Sequence, residues 1–252
     1  MLNPMDMSGQ RILVTGASSG IGRETARFLS RLGAEIVCVA RNAERLQATL
    51  ADLEGTGHSA EEFDLSTGDA IVPWMREVVG RRGPLNGLAH CAGIQKLVPV
   101  RALTAASLEE MYRANAVSAA LLVRAFQLPG CAAVNSSIVL VSSAAAVIGL
   151  ATNGTYAASK AALLAMVRTF AMELVGRSIR INAVIPGLVE TEMARRSRDA
   201  VAPEAFERLV QSHPLGMGRP EDVAYAIAYL LAPTGRWITG TSLLVDGGLT
   251  VA

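Results

Sequence analysis

Short runs of aliphatic and β-branched residues recur along this chain, separated by longer stretches whose apolar residues return at helical spacing. Strands of a parallel sheet are buried on both faces and so read as unbroken apolar runs. Each needs a crossover of a dozen or more residues, usually a helix, before the next can pair. The alternation therefore predicts repeated βαβ units around a parallel sheet. Strands are predicted at 11–15 (RILVT), 36–40 (IVCVA), 85–90 (LNGLAH), 138–142 (IVLVS), 179–185 (IRINAVI) and 243–246 (LLVD), with a weaker one at 60–63. Ile21, Thr25, Phe28, Leu29 and Leu32 share one helical face and Gly33 stops that helix; similar patterns cover 43–53, 69–79, 107–128, 155–175 and 220–231.

At 252 residues, 51% of them hydrophobic, the chain has enough apolar material for a sizeable core, and disorder is excluded as a general description. No repeat, low-complexity tract or linker divides it, so residues 1–252 read as one domain. The exception in texture is 188–213, far more polar than its neighbours and placed after a Pro-Gly pair, which reads as a surface insertion or lid. A net charge of +1 gives no footprint for nucleic acid or an anionic membrane. The most apolar stretch, residues 138–151, is too short and too polar to span a membrane, and the N-terminus does not read as a secretory signal. Three widely separated cysteines, Cys38, Cys91 and Cys131, fit neither a disulfide framework nor a paired metal site, which points to a reducing cytoplasm and no metal.

The turn after the first strand reads Thr15-Gly16-Ala17-Ser18-Ser19-Gly20-Ile21-Gly22 and opens the first helix, where free N–H groups and the helix dipole favour a phosphate. Gly16 suits the tight turn, Gly20 a close backbone approach to a pyrophosphate, and Gly22 close packing of helix on sheet. A merely flexible Gly/Ser loop is the bland alternative, and the flanking strand and helix argue against it. Further on, Tyr156 and Lys160 lie four residues apart on a predicted helix and so share a face. With four tyrosines and two lysines in the chain, YxxxK is expected by chance only about 0.03 times. An ammonium beside a tyrosine stabilises the phenolate and moves the phenol toward the working range of an acid–base catalyst.

The TGxxxGIG spacing and these later motifs resemble the short-chain dehydrogenase/reductase family over nearly the whole chain. Further matches fall in order at Asp64-Leu65, Ala92-Gly93, Asn115, Ser143, Tyr156, Lys160, Pro186-Gly187, Thr191 and Asp246-Gly247-Gly248. The resemblance implies an α/β, single-domain Rossmann-type doubly wound parallel sheet of about seven strands with helices on both faces. It also implies hydride transfer between a nicotinamide and a carbonyl carbon, with Tyr156 as general acid/base. Lys160 would also bind the nicotinamide ribose. Ser143, 13 residues before Tyr156, would hold the substrate oxygen in preference to Ser142, and Asn115 would hold a water that relays protons to the lysine. The cofactor would rest on Gly16, Ser18, Ser19, Gly20, Ile21, Gly22, Asp64, Leu65, Ala92, Gly93, Tyr156, Lys160, Pro186, Gly187, Val189 and Thr191.

Where many members of the family read Asn-Asn-Ala-Gly, this chain has His90-Cys91-Ala92-Gly93, and His90 and Cys91 read as strand-end packing residues. After the second strand Ala40 occupies the position where an acid would bind a ribose 2′-hydroxyl, and Arg41 follows, which favours NADP(H) over NAD(H). The expected substrate is a ketone or secondary alcohol, on the pattern of the 3-oxoacyl carrier-protein reductases. Arg177 supports that branch, whereas the uncharged segment 128–135 speaks against it, so sugars, polyols and small ketones stay open. Arg195, Arg196 and Arg198 stand either to meet an anionic substrate or to form a solvated face. A non-catalytic cofactor-binding sensor is the reading from another class, disfavoured by the intact Ser143, Tyr156 and Lys160. The resemblance further implies a homo-oligomer, a tetramer or dimer built on the helices at 107–128 and 155–175.

Overall fold

Seven strands, β1 (Arg11–Thr15), β2 (Glu35–Ala40), β3 (Ser59–Glu62), β4 (Leu85–His90), β5 (Ala132–Val141), β6 (Arg180–Pro186) and β7 (Ser242–Val245), form one sheet in the computed structural model, which describes residues 3–252. Their order is β3-β2-β1-β4-β5-β6-β7 and every pairing is parallel. The chain winds outward from β1 to β3, then returns to build β4 on the other side of β1. That reversal opens a crevice beyond the carboxyl ends of β1 and β4, the usual ligand position of such sheets. Register carries Thr15 beside both Val39 and His90, so three strand ends meet at the crevice.

The helices are α1 (Gly20–Arg31), α2 (Ala43–Ala51), α3 (Ile71–Arg82), α4 (Ala105–Tyr112), α5 (Ser118–Phe126), α6 (Gly154–Leu174), α7 (Glu192–Asp199), α8 (Pro203–Gln211) and α9 (Pro220–Leu231). Strand side chains alternate between the faces. Leu13, Leu88 and Ile138 pack with Met75, Phe126 and Val167 of α3, α5 and α6, while Ile12, Val14 and Val139 pack with Leu29 and Ile227 of α1 and α9. Both faces are covered, which explains the unbroken apolar runs.

Most boundaries move by one to three residues, and two elements differ in form. β5 begins at Ala132 rather than 138, because its first half, Val134-Asn135-Ser136-Ser137, carries polar residues; Asn135 sits at φ 60° and the register with β4 shifts between Leu85 and Gly87. The predicted helix at 107–128 starts at Ala105 and widens over Arg113–Val117 into a π-helical turn that separates α4 from α5. The polar segment at 188–213 carries two short helices, α7 and α8, linked by short loops.

Candidate active site

The chain enters α1 without a side-chain cap: the N-cap residue Ser19 is extended and its hydroxyl bonds none of the first-turn amides. Those N–H groups and the positive end of the helix suit a phosphate. A Cβ on Gly22 would stand 2.3 Å from the Gly16 carbonyl oxygen, and Gly16, at φ 67°, approaches the Ala92 backbone so closely that its own Cβ would lie 2.9 Å from Ala92 N. Gly20 packs against the Thr191 methyl. Two side chains hold the turn from outside: Thr49 donates to the Ala17 carbonyl (2.9 Å) and Arg23 to the Ser18 carbonyl (3.1 Å). Neither was legible in sequence, since the pairings depend on how α1 and α2 pack.

At the end of β4 the His90 ring is fully buried, its Nδ1 2.9 Å from the Thr15 hydroxyl, which also accepts the Ala92 N–H at 3.1 Å. Burial, helped by the Lys160 charge, holds the imidazole down to about 3, so it is neutral. This is the packing role expected of it. Asp64 caps the turn after β3 by accepting the Ser66 N–H (2.9 Å), and Leu65 is buried beneath it. Arg41 is exposed directly after β2, and Asn42 caps α2 by accepting the Arg45 N–H at 2.8 Å.

Ser142, just past β5, donates to the Lys160 carbonyl at 2.9 Å, so it is the backbone-bonded hydroxyl of the pair. Ser143 accepts the Ala145 N–H at 3.3 Å, and its side chain neighbours the Tyr156 phenol. Tyr156 and Lys160 are buried one turn apart on α6 and open on one cavity of about 420 Å³. Pro186, Gly187, Val189 and Thr191 form its wall after β6, with Ile21 and Gly93 opposite. Burial pushes the Tyr156 phenol above its ordinary value, opposed by the neighbouring Ser143 side chain. Burial also brings Lys160 down to about 8, and its Nζ donates to the Val141 carbonyl at 2.8 Å, 6.0 Å from the centre of the Tyr156 ring. The expectation that Lys160 lowers the tyrosine is therefore not met in this arrangement: the ammonium faces a carbonyl and desolvation of the phenol dominates.

Asn115 lies in the π-helical turn, fully buried. Its Oδ1 accepts the Ile94 N–H (2.8 Å), and its Nδ2 donates to the Ile94 carbonyl (3.0 Å) and the Ser159 hydroxyl (2.9 Å). These bonds fix the 93–95 backbone against α6. Above the cavity, Met193, Ala194 and Ser197 of α7 face inward while Arg195, Arg196 and Arg198 are not part of its lining. All three are exposed, in keeping with a solvated face. Buried His213, which sequence reasoning missed, faces the Leu209 carbonyl through Nδ1 (2.7 Å) and accepts the Leu188 N–H on Nε2 (3.0 Å), fixing the strand exit after Gly187.

A phosphate-ready turn at the switch point of a parallel sheet, adjoining a cavity onto which Tyr156 and Lys160 open, defines a dinucleotide-binding α/β enzyme. A family model described as enoyl-(acyl carrier protein) reductase matches residues 16–250. The 3-oxoacyl-[acyl-carrier-protein] reductase of Thermotoga maritima is 31% identical, covering 98% of this chain and all of that protein. Gluconate 5-dehydrogenase of Gluconobacter oxydans is 30% identical over 98% of this chain and 96% of that one. Among solved structures, a dehydrogenase/reductase from Sinorhizobium meliloti superposes with TM-score 0.90 at 31% identity, covering 98% of both chains. A variant of actinorhodin polyketide ketoreductase, crystallised with NADPH, superposes with TM-score 0.88 at 30% identity over the whole of both chains. The chain belongs to the short-chain dehydrogenase/reductase family. It is an oxidoreductase, of a family that binds nicotinamide cofactors.

Proposed function

We propose that this protein interconverts a ketone and a secondary alcohol with NADP(H), Tyr156 exchanging the proton. The observation that carries the reading is the opening of Tyr156 and Lys160 on one cavity walled by Ile21 and Thr191 beside the Gly-rich turn, with the Ser143 side chain next to the Tyr156 phenol. The uncapped amides of α1 fit a pyrophosphate, and Gly16, Ser18, Ser19, Gly20, Ile21 and Gly22 would hold it. Ala92 and Gly93 would border the adenosine side, with Asp64 and Leu65 beyond them, and Pro186, Gly187, Val189 and Thr191 the nicotinamide. When bound, the cofactor supplies or accepts the hydride. Ser143 orients the substrate oxygen and Tyr156, kept protonated by burial, donates to it during reduction. Lys160, buried beside Tyr156 on the same cavity, would hold the nicotinamide ribose. The preference for the 2′-phosphate rests on exposed Arg41 and on Ala40, which presents no carboxylate to repel it.

The substrate is uncharged and largely apolar, such as a 3-oxoacyl thioester. Leu97, Leu150, Val201, Phe206 and Leu209 line the cavity, and Lys160 is its only Lys or Arg among the described residues. Polyols are the second reading, favoured by Gln95 and Asn153 in the same wall. Docking of an acidic carrier protein is less supported, since Arg177 already donates to the Gln127 carbonyl (2.8 Å). We further propose that residues 1–252 act as one domain in the cytoplasm. Self-association, as dimer or tetramer, is supported by exposed Leu243 and Leu244 on edge strand β7 and Tyr225 and Tyr229 on α9. No helix among the described residues is long and apolar enough to cross a membrane. The test is oxidation of NADPH by an acetoacetyl thioester, run beside NADH and beside polyol oxidation with NADP. Rapid NADPH-dependent reduction is expected; bound NADPH with no turnover of any ketone or alcohol would favour the non-catalytic reading.

A further inference from the structure

Helix α7 roofs the cavity, yet side-chain hydrogen bonds join it to the rest of the molecule at only two places among the described residues. One is the ion pair between Glu192, its first residue, and Arg45 of α2. The other lies further along the helix, inside the cavity, where the Ser197 hydroxyl has Gln95 Oε1 as an acceptor at 3.0 Å, alongside the Met193 carbonyl of its own helix at 3.1 Å. The other end of the Gln95 amide is also engaged: Nε2 donates to Asn153 Oδ1 at 2.8 Å. Asn153 is buried and stands at the N-cap of α6, three residues before Tyr156, but its side chain caps no helix amide. The backbone on which Gln95 rides is fixed as well, because Asn115 grips both the N–H and the carbonyl of Ile94. One amide with both ends engaged, mounted on an anchored backbone, thus spans the cavity from the roof to the start of the catalytic helix.

We propose that Gln95 is a positioning residue that tethers α7 to α6 and so sets the size of group the cavity admits beyond the reacting carbon. Its chemistry fits such a tether, since a primary amide donates at one end and accepts at the other and joins a hydroxyl to an amide oxygen with no charge to bury. With the tether made, Met193 and Ser197 stay over the cavity and a small ketone is held close to Tyr156. With it broken, α7 remains attached by Glu192 at its first residue and pivots there. Bulky ketones are then admitted and small ones held less well. The specificity part of this inference rests on the ketone reading above; the tether itself does not.

The experiment compares amide hydrogen exchange of residues 192–199 in the cofactor-free protein for Gln95→Met, Ser197→Ala, their double variant and Glu192→Gln. Losing one hydrogen bond worth about 1 kcal/mol gives about fivefold faster exchange. Each of the first two variants is expected to show that change and the double no more than either, because they remove the same bond, whereas Glu192→Gln adds to it. Steady-state kinetics with NADPH should then show KM for a small ketone raised several-fold with kcat little changed, and the ratio of kcat/KM for a bulky over a small ketone increased. Unchanged exchange in both single variants, or effects of Gln95 and Ser197 that simply add, would overturn the tether. Ser197→Ala, on an accessible helix, reads the same bond if Gln95→Met fails to fold. Faster exchange without turnover of any ketone would leave the tether standing and count against the ketone reading instead.

Discussion

Lys160 allows the electrostatics of the site to be tested without any assumption about substrate. An ordinary lysine titrates at 10.5, and burial brings Lys160 down to about 8. A folded-state value lowered in this way means that the unfolded chain binds the proton more tightly. At about 1.4 kcal/mol per tenfold change in proton affinity, the buried ammonium costs about 3 kcal/mol of stability below pH 8, where both states carry the charge. The cost shrinks as pH rises from about 8 toward 10.5, where the folded lysine is neutral while the unfolded one still binds a proton. Lys160→Met removes the titration but also leaves the Val141 carbonyl without its 2.8 Å partner, at a pH-independent cost of about 1–3 kcal/mol. The pH-dependent part is therefore the diagnostic one. In urea unfolding of both proteins, the wild type should gain about 2 kcal/mol relative to Lys160→Met between pH 7 and pH 9.5. A stability difference that stays flat over that range would refute burial as the force acting on Lys160, and with it the explanation of how the site holds its charge.

Other substitutions follow from the geometry. Arg41→Ala should weaken NADPH binding by about 10- to 100-fold, the range of a lost charge-assisted hydrogen bond, and leave NADH nearly unaffected; titration by cofactor fluorescence checks this, and equal losses for both cofactors would exclude a phosphate contact. Gly22→Ala puts a Cβ 2.3 Å from the Gly16 carbonyl oxygen, so cofactor binding should be lost and the melting temperature should fall. His213→Leu strips the Leu188 N–H of its acceptor and should cost about 1–3 kcal/mol in denaturant unfolding, with KM for the cofactor raised by a loosened wall.

The sheet was readable because strands buried on both faces must be apolar throughout, and RILVT and IVCVA advertise that. The first half of β5 was not readable: Ser137 occupies a core position only because its hydroxyl reaches the Leu230 carbonyl (3.0 Å), a partner 93 residues away. Tyr156 and Lys160 were legible through their spacing, and Ser143 through the family resemblance. What each group does electrostatically was not, since spacing gives proximity but says nothing of desolvation or of the Val141 carbonyl that accepts the Lys160 hydrogen bond. Asn115 was found, but its work on the Ile94 backbone depends on a π-helical turn that no periodicity marks. Gln95, Asn153, Ser197 and His213 left no signal because each acts through a residue distant in sequence.

The most direct test of the proposed chemistry replaces Tyr156 by Phe, which keeps the ring and removes only the hydroxyl beside Ser143. NADPH affinity, read by fluorescence, and ketone reduction, read by NADPH absorbance, are measured on the same preparation. Binding is expected to stay within a few-fold of wild type while kcat falls by at least about a thousandfold, in keeping with removal of a general acid and of the oxygen contact it makes. Turnover within about tenfold of wild type would contradict this mechanism, and would move the proton to a group other than Tyr156.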